Sequence, residues 1–317
     1  MNKLIYLLLL PVLTYGQLHI EQAQAMLAKK QYAKAEVVLV KFVEQNPKNT
    51  LGIELLGDAY GHQKKWDKAI SNYKVLVNTN PNNANYQYKY GGALGMKALS
   101  VSKIKALTII DDVKAAFLKA AELDKEHVDA RWALVELYMQ LPGIIGGSKS
   151  KALHYANELQ NLSKVDGYLA KGYIYEYDKE PEQAEKYYKL ALNTGGSVTC
   201  FEKLTNFYEK QNKPQKAIEN IEHAYQKHNR NAMHYQIGKV CADYNIQLEK
   251  GEKCLHAYIK NHSVKDGVPI EWAYFRLAQI HKNKLDKTAA LKWIDKALAT
   301  RANFKQAKEE KAKILKL

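Results

Sequence analysis

The sequence predicts an all-α protein, folded as a right-handed α-α superhelix of about eight helix-turn-helix repeats. Apolar residues recur at spacings of three and four through most of the chain, as they do on the buried faces of helices. Pro47 and Pro81 close two successive units 34 residues apart, and the 317 residues include only 7 prolines. A hydrophobic fraction of 46% is ample for a helical core. These observations favour one long array over two ordinary globular domains.

Residues 1–16 differ from everything that follows them and have the organisation of a signal peptide. Lys3 supplies the positive charge, residues 4–13 form an apolar run, and Gly16 offers a small residue for cleavage. The run has about ten residues and the bilayer needs about 20, so a retained anchor is less favoured. No cysteine follows the run for lipid attachment. We therefore expect cleavage after about Gly16, export to the periplasm or medium, and a mature chain that begins at Gln17.

The clearest repeat spans residues 50–81, where two apolar stripes are separated by the polar sequence HQKK. Its packing positions are Leu56, Gly57, Tyr60, Ala69, Tyr73 and Leu76. This pattern, Leu-Gly then Tyr on one helix and Ala then an aromatic residue on the next, resembles the tetratricopeptide repeat family. The resemblance implies a solenoid that binds proteins or peptides without catalysis, and whose first helices line the concave face that reads the ligand.

The same pattern predicts eight second helices. Each has a packing residue near its start, and most of these residues are small. These residues are Ala35, Ala69, Val113, Ala152, Ala184, Ala217, Gly251 and Ala290. Insertions near residues 98–112 and 141–148, with one loose joint before the last repeat, explain the uneven spacing. The first insertion keeps apolar residues at helical spacing, so we expect longer helices there. The repeats then occupy residues 17–303, and residues 304–317, rich in Lys and Glu, form a capping helix.

The sequence LPGIIGGS at residues 141–148 is the most unusual in the chain. Gly146 and Gly147 permit positive φ, Ser148 is placed to cap the next helix, and the two isoleucines are expected to fold inward. Free N–H groups at this helix start could instead hold an anion, but capping is the simpler explanation. The segment resembles an insertion shared by a group of exported bacterial repeat proteins, which implies localisation and no chemistry.

We expect side chains on the concave face of the first helices to bind a partner. By register these are Glu54, Asp58, His62, Tyr88, Met96, Trp132, Glu136, Met139, Tyr173, Glu176, Tyr177, Glu202, Asn206, Glu209, Tyr235, Lys239 and Asp243. Acidic and aromatic side chains dominate, whereas the family's clamp for a peptide carboxylate needs Lys, Arg and Asn. The pattern favours a partner with a basic segment, and an empty, solvated groove is the simpler alternative.

Motifs for catalysis or metal binding are missing from the sequence. It contains no phosphate-binding loop ending in Gly-Lys-Ser or Gly-Lys-Thr and no nucleophile elbow. His223, His228 and His234 are five and six residues apart, off the spacing that places two ligands on one helix face. We therefore predict no enzyme activity, no metal and no cofactor.

The three cysteines, Cys200, Cys241 and Cys254, are an odd number and cannot form a complete disulfide framework. Cys241 and Cys254 are predicted to lie on facing helices of one repeat. They are either small buried residues or, in an oxidising compartment, a disulfide.

The formal net charge is +15, but the lysines are spread singly along helix faces, as on a solvated solenoid. With export, this pattern argues against nucleic acid as a partner. We expect a protein- or peptide-binding scaffold of the cell envelope. The alternative is a periplasmic small-ligand receptor or transporter-associated protein, in which the third repeat and the 141–148 loop close an apolar pocket. A cavity of several hundred cubic ångströms under Ile144 would favour the receptor, and an open polar groove the scaffold.

Overall fold

The computed structural model of the protein describes residues 19–317, whose regular secondary structure is entirely helical. This confirms the all-α fold class, and the pairing of the helices fits an α-α superhelix. The predicted signal peptide and the expected N-terminus at Gln17 lie outside the described residues. No helix between residues 19 and 317 combines the length and apolar character needed to cross a membrane.

The chain divides into two compact units, the first ending at Leu162 and the second beginning at Ser163. The helices of the first unit are α1 (residues 19–28 of it are described), α2 (Tyr32–Gln45), α3 (Thr50–His62), α4 (Trp66–Thr79), α5 (Ala84–Ser100), α6 (Lys103–Leu107), α7 (Ile110–Leu123), α8 (Val128–Gln140) and α9 (Lys149–Leu162). A 3-10 turn, Gly143–Ile145, lies between α8 and α9.

The second unit continues the alternation of first and second helices. It contains α10 (Lys164–Tyr177), α11 (Pro181–Gly195), α12 (Val198–Lys210), α13 (Pro214–His228), α14 (Ala232–Tyr244), α15 (Leu248–Lys260), α16 (Ile270–Asn283), α17 (Lys287–Thr300) and α18 (Lys305–Leu315). A 3-10 turn, Val264–Asp266, occupies the predicted loose joint before α16.

Each unit is held together by helix pairs that stack on their neighbours. In the first unit α3 packs on α4, α5 on α7 and α8 on α9, and the second helices α2, α4 and α7 each also pack on the first helix that follows. The second unit repeats this scheme from α10 to α17. All eight residues predicted to open the second helices are buried.

Glycine in the first helix permits close packing of an aromatic ring from the second. A Cβ atom added at Gly57 would lie 2.6 Å from the ring of Tyr73, and one added at Gly172 would lie 2.6 Å from the ring of Tyr188. Real Cβ atoms do not approach a ring so closely, so only glycine fits without movement. The Leu-Gly element of the sequence pattern thus has a packing cause.

The third repeat differs from the prediction of longer helices. Only α5 is long, with 17 residues, and the remaining insertion folds as the separate five-residue helix α6. Extended backbone at Val101 and Ser102 ends α5 and turns the chain. None of the residues of α6 is buried, so no packing holds this segment in line with α5.

The last helix, α18, packs on α16 and α17. Ala307 and Ile314 are buried on its inner face, together with Phe304 just before it. Glu310 is also buried, and it pairs with Lys282 and Lys313. This polar-looking helix therefore has one apolar face and one paired acid.

Candidate functional site

A cavity of about 1080 Å³ lies in the first unit, between the end of α5, α6, the start of α7 and the end of α8. Its wall is mostly apolar, with contributions from Met96, Leu99, Val113, Phe117 and Leu137. The two insertions build it: the extra turn of α5 and the helix α6 form one side, and the 141–148 loop forms another. It is the candidate binding site of this unit.

The two isoleucines of the 141–148 loop do not both fold inward, as the sequence analysis expected. Ile144 is 96% exposed and Ile145 is partly buried, although both line the mouth of the cavity. The 3-10 turn is the reason, because successive side chains of such a turn point in different directions. The loop therefore leaves an open apolar rim instead of a closed lid.

Ser148 caps α9, which confirms this prediction. Its side-chain oxygen accepts a hydrogen bond from the backbone N–H of Lys151, at 3.3 Å. The backbone N–H of Ser148 itself donates to the carbonyl of Tyr138 near the end of α8, at 2.9 Å. The same residue thus starts one helix and ties it to the helix before.

The two glycines before Ser148 have different roles. Gly146 has a φ of 101°, and a Cβ at Gly147 would overlap the carbonyl oxygen of Leu141. Their N–H groups donate to the carbonyls of Gly143 and Pro142, each at 3.1 Å. The backbone N–H of Ser148 also donates to a carbonyl. The N–H groups of Gly146, Gly147 and Ser148 are therefore all hydrogen-bonded within the protein and are not available to an anion. The geometry supports the capping interpretation.

The polar end of the cavity wall contains Lys89, whose charge is already balanced. Its Nζ lies 2.7 Å from Glu54 and 2.8 Å from Asp58. Burial acts to lower the pKa of Lys89, but the two carboxylates raise it above its ordinary value. Tyr73 also donates to Asp58, with 2.6 Å between the oxygens. The acids predicted to attract a partner are therefore engaged within the protein.

The same pairing recurs along the first helices, where the cation comes from the following repeat. The further pairs are Glu176 with Lys210 (2.7 Å), Glu209 with Lys239 (2.6 Å) and Asp243 with Arg276. Glu202 and Asn206 remain exposed. The concave positions thus carry much less net negative charge than their sequence suggests, because basic residues about one repeat away neutralise them.

Other predicted site residues are scattered over the two units. Tyr173 and Tyr177 are partners on α10, with ring centroids 6.1 Å apart. Tyr235, by contrast, is only 5% exposed and packs on Tyr258, so its predicted place on an accessible face is wrong. Met139 is buried in the same way. Tyr235 shares a helix face with the partly exposed Lys239, four residues on, and is covered because the ring of Tyr258 packs on it.

Among the predicted residues, Tyr88, Met96 and Glu136 line the cavity. Trp132 is partly exposed on α8, and His62 stacks on Tyr32 with centroids 4.4 Å apart. The sequence reasoning missed the aliphatic lining of α5 to α7. A signal is present in the apolar spacing of residues 98–112, but by itself that spacing indicates only helix extension.

Reactive and metal-ligating side chains do not converge in the part of the chain that is described. Among residues 19–317 no group of three or more His, Cys, Asp or Glu is placed to hold a metal ion. Cys200, Cys241 and Cys254 are free thiols in the structure. Burial raises the pKa of Cys241 to about 12, which keeps it protonated and unreactive at neutral pH.

Two segments of the chain match family models described as tetratricopeptide repeat, residues 55–83 and residues 165–194. A search of curated proteins finds no match to this chain. These two segments contain the Gly57 and Gly172 packing sites. They lie in the first and second unit respectively.

Solved structures of tetratricopeptide repeat proteins are similar in fold. One from Parabacteroides merdae has 15% identity and a TM-score of 0.51, covering 95% of this chain and 98% of that chain. A thermophilic one from Thermus thermophilus has 13% identity and a TM-score of 0.51, covering 61% of this chain and 97% of that chain. Proteins of this class are generally non-catalytic scaffolds that bind proteins or peptides. The chain therefore contains tetratricopeptide repeats in both units and has the fold of a helical repeat scaffold.

Proposed function

We propose that this protein is a non-catalytic scaffold of the cell envelope that binds a protein or peptide by taking its apolar side chains into the cavity of the first unit. One observation carries the proposal: the rim of the cavity is apolar and exposed. The exposed fractions of its lining residues are 71% for Leu99, 50% for Leu107 and 96% for Ile144, and Ile104, next to the lining residue Lys103 on α6, is 79% exposed. Exposed apolar clusters of this kind mark interaction sites, and each aliphatic side chain covered contributes roughly 1.5–3 kcal/mol.

A receptor for a small apolar ligand is the second candidate, and the cavity volume favours it. At about 1080 Å³ the cavity is close to the upper end of the roughly 300–1,000 Å³ range of small-molecule sites. A small molecule inside it would, however, leave the rim side chains in water. A protein segment covers both the cavity and its rim, so the scaffold explains more of the surface.

The basic partner segment expected from the sequence has less support. Glu54, Asp58, Glu176 and Glu209 already have lysine partners within the protein. Breaking such pairs to bind a basic segment would exchange one ion pair for another, with little gain.

Photo-crosslinking tests where the partner binds. A photoreactive amino acid replaces Leu99 at the rim or, as the control, Val75, which is also exposed but lies outside the cavity on α4. After irradiation of cells, position 99 is expected to yield an adduct of protein size and position 75 none. An adduct with only a small mass increase at position 99 would favour the receptor. Equal adducts at both positions would contradict the site.

We also propose that the chain is exported, which the apolar run at residues 4–13 and the small residue Gly16 support. In the same preparation, the intact mass of the uncrosslinked protein is expected to match a chain that begins at Gln17 and is found in the envelope fraction. A cytosolic species that retains the first residues would contradict export.

A further inference from the structure

We infer that the segment bound in the cavity is an amphipathic helix whose apolar face is flanked by acidic residues. The inference rests on the proposed function and specifies its partner. It combines three features of the cavity mouth: an apolar rim, unpaired lysines beside it, and the lack of any strand edge among the described residues.

The charge of the mouth is positive. Lys103 and Lys105 flank the exposed Ile104 on α6, and Lys103 lines the cavity. Both lysines are exposed, and neither side chain has a hydrogen-bond or ion-pair partner among residues 19–317. Lysines elsewhere near the mouth are paired, as Lys97 is with Asp67 at 2.7 Å. Lys103 and Lys105 are thus available to meet acids on a partner.

Across the mouth, α8 contributes Glu136 to the cavity wall, whereas the 141–148 loop and the start of α9 add only the basic residues Lys149 and Lys151. From residue 140 to residue 153 the chain contains no Asp or Glu. Below the rim, Lys89 is neutralised by its two carboxylates, so it contributes little to the field at the entrance. An acidic flank on the partner therefore meets a basic surface while its apolar face enters the cavity.

A helix suits the apolar wall better than an extended peptide. Its backbone N–H and C=O groups are paired internally, so its apolar face can enter without leaving unpaired polar groups. An extended segment would need a strand edge to pair with, and residues 19–317 contain no strand. A helix with an apolar stripe about 100° wide also presents its flanking charges at the rim, beside Lys103 of the cavity lining.

Two synthetic peptides test the inference. Each has about 18 residues, ~27 Å as a helix, with the same Leu/Ala face, and their polar positions are Glu in one and Lys in the other. Binding to the full mature chain is followed by fluorescence anisotropy at about 50 mM and about 300 mM salt. The Glu peptide is expected to bind more tightly than the Lys peptide and to weaken as salt rises.

The matched variants are Lys103→Glu with Lys105→Glu, and, as the control, Lys41→Glu with Lys74→Glu. The control lysines are exposed on α2 and α4 and do not line the cavity. We expect the first reversal to weaken binding of the Glu peptide by about tenfold and the control reversal to leave its affinity nearly unchanged. Since α6 buries none of its residues, the reversal should preserve the fold, which circular dichroism checks.

If both peptides bind equally well and the Lys103 and Lys105 reversal changes neither, the inference that the partner carries acidic flanking residues is wrong. The proposed scaffold function would not be affected by that result. Lack of binding by either peptide would overturn the helical partner altogether. The adduct at position 99 then decides the proposed function separately: a protein adduct retains it, and a small-molecule adduct replaces it with the receptor.

Discussion

Glycine in the first helix of a repeat sets how closely the second helix can approach. In the fifth repeat the ring of Tyr188 lies directly over Gly172, and its hydroxyl donates to Glu176 with 2.6 Å between the oxygens. The ring position is therefore fixed at both ends, by packing and by a hydrogen bond. A side chain at Gly172 would have to move a group that has little room to move.

Gly172→Ala is expected to lower the unfolding free energy by about 1–3 kcal/mol, because the added methyl group overlaps the tyrosine ring. Gly92→Ala is the matched control. Gly92 also lies in a first helix, α5, but a Cβ there meets no atom within 4 Å. That change should raise stability by up to about 1 kcal/mol through helix propensity. Urea unfolding checks both, and equal effects would contradict the packing explanation.

At the scale of the element, α9 begins where the 141–148 loop ends, and its start depends on Ser148. The Ser148 side chain accepts from the backbone of Lys151, and the loop carbonyls take up the glycine N–H groups. A helix start without such a cap leaves backbone donors unpaired. The cap therefore connects the cavity loop to the stability of the fourth repeat.

Ser148→Ala is expected to reduce stability by about 1 kcal/mol, by removing the acceptor for an N–H group in the first turn of α9. Ser150→Ala is the control, since Ser150 is exposed within the helix and caps nothing. Hydrogen exchange should quicken at the start of α9 in the first variant only. Unchanged exchange there would mean that the cap contributes little.

Over the whole molecule, the net charge is +15, and many acidic side chains form ion pairs with lysine or arginine. Glu185 on α11 shows this across a repeat boundary. Its carboxylate lies 2.8 Å from Lys189 on the same helix, and 3.1 Å from both Lys216 and Tyr208 of the next repeat. Such contacts couple each repeat to its neighbour, as the stability of a solenoid requires.

These contacts make stability depend on pH. Burial acts to raise the pKa of Glu185, but hydrogen bonds from Lys189, Lys216 and Tyr208 outweigh it and lower the pKa from 4.5 to about 2. A carboxyl whose pKa is lowered by folding stabilises the protein above its unfolded pKa, and this contribution is lost as pH falls from about 4.5 to about 2.

Glu185→Gln should therefore lower stability at pH 7 by about 1–2 kcal/mol and flatten the loss on acidification. Glu202→Gln, at an exposed carboxylate with no ion-pair partner among the described residues, is the control. Urea unfolding at a series of pH values checks the difference. Parallel curves for wild type and Glu185→Gln would show that other groups set the pH dependence.

The sequence by itself determined the helical fold and the packing of its repeats. Ala69, Tyr73 and Gly57 show why: the spacing of residues on one helix decides which of them share a face, and two such helices joined by a short turn meet in one way. The capping role of Ser148 could also be predicted from the sequence, because a cap depends on residues three positions apart. These features are local, and local spacing is what a sequence displays.

Only the tertiary structure decided the cavity and the charge of the concave face. Lys89 neutralises Asp58 from 31 residues away, so much of the negative charge expected at that face is balanced once neighbouring repeats are stacked. In the same way, the apolar spacing of residues 98–112 predicted longer helices, yet the break at Val101 turned α6 aside and left its aliphatic side chains exposed. Both outcomes depend on contacts between elements, and residue spacing within one helix does not encode them.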